Sequence, residues 1–121
     1  EDVLRGISEH ILNLVDSDPE LIRLMFNNSL ESGDLAAILF KEVRLPYIEF
    51  LAEELKHRIT SNEVRPVDPF ITSRCFVGMV MDCALNVSVW TKIQETKFVA
   101  HKVVCNNVPI FARGLAADGA V

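Results

Sequence analysis

The stretch Asp68-Pro69-Phe70-Ile71-Thr72-Ser73-Arg74-Cys75-Phe76-Val77-Gly78-Met79-Val80-Met81-Asp82-Cys83-Ala84-Leu85-Asn86-Val87-Ser88-Val89-Trp90 decides the fold. A short polar acceptor followed by Pro is a helix start: Asp68 caps and Pro69 takes the first helical position. From there to about Thr91 the apolar residues cover nearly the whole circumference. A helix that is apolar all round is buried on all sides. A chain of 121 residues has few helices with which to surround one. A second copy of the chain is the expected remedy.

Outward from this helix, helical periodicity continues in both directions. Val3 to about Val15 carries Leu4, Ile7, Ile11, Leu14 and Val15 on one stripe, with Asp2 as its expected cap. Asp16-Ser17-Asp18-Pro19-Glu20 stops that helix and starts a second, with Ser17 and Glu20 at capping-box spacing. The second helix is expected from Pro19 to Ser29, with Ile22, Met25 and Phe26 inward. After the break at Ser32-Gly33-Asp34, a third stretch shows Leu35, Ile38, Leu39 and Val43 as its stripe. Pro46 predicts a kink or short break near Leu45. Ile48, Leu51, Leu55 and Ile59 then form the inward row, and Asn62 stands where a left-handed C-cap residue belongs. Beyond the central helix, a last one is expected from Gln94–Lys97 to about Arg113, with Pro109 inside it. No strand-like alternation or long repeat occurs. The fold class is therefore all-α, an antiparallel bundle of five to six helices in one domain over residues 1–121.

Composition narrows the function. Half the residues are apolar, 24% are charged, and the net charge is -5. The mean hydropathy is +0.24, high for a domain this small. Such a chain is too apolar for a disordered segment. It is also too acidic to grip phosphate backbones by itself. The apolar run Cys75 to Trp90 is interrupted by Asp82, Asn86 and Ser88, which argues against a membrane span of about 20 residues. The first five residues contain no signal-peptide pattern. Cys75, Cys83 and Cys105 are odd in number and form no C-x-x-C pair, so small buried hydrophobes in a reducing cytoplasm are expected.

Chemical motifs are sparse. Glu54-x-x-His57 has metal-like spacing, but a di-iron bundle needs two such pairs and there is one. His10, His57 and His101 have no recognisable nucleophile beside them, and no Gly-rich phosphate loop occurs. No enzyme activity and no cofactor are expected. Asp82 and Asn86 lie one turn apart within the apolar helix. An unpaired buried polar group costs about 1–3 kcal/mol, so they must face a partner, water or a cavity, as a hydrogen-bonded pair at a helix–helix seam or as the polar wall of a ligand pocket.

Several motifs together resemble the C-terminal domain of tetracycline-repressor-like (TetR/AcrR) transcriptional regulators. Asn62-Glu63-Val64-Arg65-Pro66-Val67-Asp68-Pro69, followed by Arg74-x-Phe76-x-Gly78, is similar to that family's Gly-Glu-x-Arg-x-x-Asp-Pro run into its long eighth helix. Phe111-Ala112-Arg113-Gly114-Leu115 resembles its closing turn, and Glu1-Asp2-Val3-Leu4 resembles the start of its linker helix. Asn62 replaces the usual Gly. The resemblance spans essentially the whole chain and lacks the family's helix-turn-helix domain.

The resemblance implies an effector-sensing and dimerisation domain of a one-component bacterial regulator, a repressor. Operator DNA would be met only through the absent N-terminal domain. The last two helices would form a homodimer through Asp82, Asn86, Trp90, Val103, Asn106, Ile110 and Phe111. Leu14, Met25, Tyr47, Phe50, Phe76, Met79 and Cys83 would line a pocket for a hydrophobic or aromatic effector. The alternative is a ligand-free helical interaction module with the same dimer and a filled core.

Overall fold

The computed structural model describes residues 1–18, 20–21, 23–24, 34–88 and 99–117, and among them the chain is all-α, without a strand. Helix α1 is Asp2–Ser17. Helix α2, Asp34–Leu39, passes through a wide turn at Phe40–Arg44 into α3, Leu45–Thr60. Helix α4 is Pro69–Ser88 and α5 is Ala100–Leu115. The second helix read from sequence falls largely outside the described residues, as do Ile22, Met25, Phe26 and Trp90.

Local chemistry explains the boundaries. Asp68 Oδ1 accepts the Ile71 N–H at 2.9 Å, and the Asp68 carbonyl accepts the Thr72 N–H at 3.0 Å, so α4 starts on its expected cap. Asn62 adopts φ 62°, in the left-handed region. The Glu63 N–H then reaches the Arg58 carbonyl (2.9 Å) and the Asn62 N–H reaches that of Ile59 (3.1 Å). These two bonds are a Schellman ending for α3.

Two local expectations need correction. Ser17 does not open a helix; its hydroxyl donates back to the Leu14 carbonyl at 2.9 Å and closes α1. The cap of α1 is Glu1, without a side-chain bond, and Asp2 lies in the first turn. At Pro46 the expected irregularity takes the form of a widened turn, Phe40–Arg44, which accommodates the ring. There the Leu45 N–H bonds the Phe40 carbonyl five residues back, so the helix proceeds without the four-residue bond that Pro cannot make.

Helix α4 is the central element. Phe76, Val77, Val80 and Ala84 are buried, packed chiefly between α1 and α3. From α1 come Leu4, Ile7, Ile11, Leu12 and Val15, and from α3 come Ile48, Leu51 and Leu55. By length and composition alone Pro69–Val87 could cross a bilayer, but here 44% of it lies inside the packed helices. One chain therefore buries less than half of this helix and leaves one side of it uncovered. Ile71, Cys75 and Asp82 remain exposed on its outer face. Ser73 is buried with its hydroxyl unpartnered among the described residues.

The loop before α4 is pinned to the end of α5. The Arg65 N–H donates to the Leu115 carbonyl at 2.8 Å, and the Ala117 N–H donates to that of Glu63 at 3.2 Å. These bonds hold Leu115 and Ala117 against the loop.

Candidate functional site

The seven residues read as pocket lining separate into different environments. Phe50 is 55% exposed, because it lies on the α3 face opposite Ile48, Leu51 and Leu55. Tyr47 is half-buried, with its Oη 2.6 Å from His10 Nδ1 and the two rings edge to face. Burial pushes the Tyr47 phenol pKa up, which keeps its hydroxyl protonated at neutral pH. Leu14 is half-buried on α1. Phe76 is buried and meets Phe111 edge to face, with ring centroids 4.9 Å apart. Met25 lies outside the described residues.

Met79 and Cys83 do come together, at the seam between α4 and α5. Asn107 joins them: its Nδ2 is 3.3 Å from Met79 Sδ and 3.6 Å from Cys83 Sγ. Asn106 Nδ2 donates to Asn107 Oδ1 at 2.9 Å and holds the amide in this orientation. Asn107 was missed in the sequence reading, although a signal existed. It sits four residues from both Val103 and Phe111, on the apolar stripe of α5.

The dimer candidates divide as well. Val103 is buried inside the chain and Phe111 is half-buried on Phe76, so neither is a free seam position. Ile110 is 62% exposed, Asn106 is exposed, and Asp82 is exposed one turn from Asn86. Asn86 Nδ2 donates to the Asp82 carbonyl at 2.9 Å and lies 3.4 Å from its Oδ2. Ile71 (61% exposed), Cys75, Asp82 and Asn86 lie four, seven and four residues apart on one face of α4. Val99, Lys102, Asn106, Ile110 and Arg113 recur at three- and four-residue spacing at and along α5. Asp82, Lys102 and Arg113 carry the charges of these two faces, beside the exposed apolar Ile71, Val99 and Ile110. Cys75 and Cys105 are exposed, not buried as expected, because each falls on the solvent side of its helix.

A cavity of about 190 Å³ lies elsewhere, where α1 begins and α3 and α5 end. Leu4, Leu51, Leu55, Val64 and Leu115 form its apolar wall. Glu54, Arg58 and Glu63 also border it, with Arg58 bridging the two carboxylates at 3.5 and 3.6 Å. None of the residues read as pocket lining borders it. Glu54 is thus engaged by Arg58, while His57 is exposed. Among the described residues no three His, Cys, Asp or Glu side chains could hold a metal ion together.

Burial raises the Cys83 thiol pKa, Asp82 raises it further, and the Asn107 amide partly opposes both. A raised pKa in the folded state favours the neutral form. The associated stability is complete below the unfolded thiol pKa and is lost as pH rises through the folded one. Tyr47 acts with the same sign in a higher window. The unfolding midpoint is therefore expected to fall as pH rises above about 9. Cys83→Ala should flatten the first part of that fall in melts between pH 7 and 11. An unchanged profile would refute the assignment to Cys83.

No protein-family model matches the chain, and comparison with curated proteins and with solved structures finds no match.

Proposed function

We propose that the chain is the effector-sensing and dimerisation domain of a one-component transcriptional regulator of the TetR/AcrR type, with the helices forming that family's antiparallel bundle. The observation that carries the reading is the set of exposed apolar residues on α4 and α5, with Ile71 and Ile110 more than half exposed. The sequence resemblance assigns dimerisation to the same two helices. Operator contact falls to a helix-turn-helix segment outside this acidic chain. Helix α1 would be the lever. Two recognition helices must sit about 34–36 Å apart to enter successive grooves, so a small tilt of α1 releases DNA. The effector needs only to prefer one of the two tilts.

Sedimentation velocity tests the dimer. The wild type is expected to be dimeric at micromolar concentration. Ile110→Lys is expected to be monomeric, with an unchanged helical circular dichroism spectrum, because the exposed side chain contributes little to the monomer core. A monomeric wild type, or an Ile110→Lys variant that dimerises equally well, would overturn the reading.

The packing of Phe76 on Phe111 supports a second reading, a ligand-free interaction module with a filled centre. It predicts the same dimer with no effector response.

A further inference from the structure

We propose that Arg44 and Arg74 form a binding site for a dianionic oxyanion group, with a phosphate monoester as the ligand chemistry. The chain carries seventeen Asp and Glu against twelve Lys and Arg. Arg5, Arg23 and Arg58 each have a carboxylate within 4 Å. Arg44, Arg65, Arg74 and Arg113 have none among the described residues, and of these Arg44 lies over Gly78, one turn from Arg74 on α4, where the two like charges disfavour each other. Arg44 is half-buried, and its Nε is closed off from solvent without a hydrogen-bond partner. Arg74 is exposed, so the pair opens to solvent on one side.

The local structure holds this arrangement in place. Pro46 forces the wide turn at Phe40–Arg44, and wide turns of this kind are frequent at functional sites. The turn carries Phe40 and Arg44 toward α4. The Phe40 ring lies 5.2 Å from the Arg74 guanidinium carbon, a cation–π contact that orients the side chain. Arg44 lies over Gly78, where an added Cβ would meet its Nη2 at 3.4 Å. Two like charges without a counterion are costly where water is partly excluded. A dianion neutralises both, and guanidinium forks match phosphate oxygens in geometry. Within the regulator reading this site would anchor the polar end of the effector, and that role alone depends on the reading.

Thermal unfolding of the whole chain tests the site, using inorganic phosphate as the probe and sodium chloride at matched ionic strength as the control. The midpoint is expected to rise saturably with phosphate. Arg74→Gln, at an exposed position that leaves the core intact, should weaken the apparent affinity at least about tenfold. Lys41→Gln, a nearby cation outside the pair, should not. Arg44→Gln should match Arg74→Gln wherever it folds. A phosphate response that is absent, unsaturable or equally strong in Arg74→Gln would overturn the proposal. A response to succinate but not to phosphate would overturn the phosphate assignment. A dimer that ignores phosphate sinks the site and leaves the regulator reading standing; a monomer that binds phosphate does the reverse.

Discussion

Phe76→Ala is expected to lower the unfolding midpoint by roughly 12–20 °C, the largest effect of any single truncation in this chain. Phe76 is 1% exposed and sits at the crossing of α4 with α5, where its ring meets Phe111 edge to face. Deleting a buried Phe side chain costs about 3–5 kcal/mol, from lost burial plus the cavity left behind. For a domain of this size each kcal/mol is worth roughly 4 °C. Phe50→Ala is the control. At 55% exposed, that ring should cost about 1 kcal/mol or less. Circular dichroism melts of the two variants check both numbers. Equal effects would mean that the α4–α5 packing described here does not hold the chain together.

Val80→Asp should leave the chain unfolded or without fixed packing at neutral pH. Val80 is 1% exposed, and no cation lies on the neighbouring core positions of α1 and α3. An isolated carboxylate there costs several kcal/mol. The whole domain has only about 6–18 kcal/mol to lose, at the usual stability per residue. Two positions later on the same helix, Asp82 already bears a charge on the exposed face. The reciprocal change, Asp82→Val, should therefore leave the fold intact and shift the midpoint by only a few degrees. Helical content together with binding of a hydrophobic dye separates these outcomes. A folded Val80→Asp would place the buried face of α4 elsewhere.

Much of the local structure is legible in the residues. Asp68 before Pro69 marks the start of α4, and Asn62 in the left-handed region marks the end of α3. Both signals act within one turn, through a side-chain oxygen or a single φ angle, so no distant contact is needed to read them. Ser17 shows the limit of such reading. Its spacing to Glu20 suits a capping box, in which its oxygen would accept a backbone N–H, yet the hydroxyl donates to the Leu14 carbonyl at the end of α1. A motif names the bonds that are possible, and local geometry selects among them.

The candidate site was less legible. Met79 and Cys83 were recognisable as neighbours because they are one turn apart. Asn107 joins them from another helix, and no spacing within α4 points to a residue of α5. Tyr47 was grouped with Phe50, yet it pairs with His10 while Phe50 faces outward. The Arg44–Arg74 pair leaves no trace in spacing at all, since it depends on how a wide turn before Pro46 meets Gly78.

By itself the sequence determined that the chain is helical, where α3 ends, where α4 begins, and that α4 is the most apolar element. Caps, proline and glycine substitutes act on the backbone within a few residues, and that information is local. The tertiary structure alone decided which side of α4 is inside. A helix that is apolar nearly all round has periodicity without a phase. Only the neighbours α1, α3 and α5 choose the face, burying Val80 and leaving Ile71 and Asp82 in solvent.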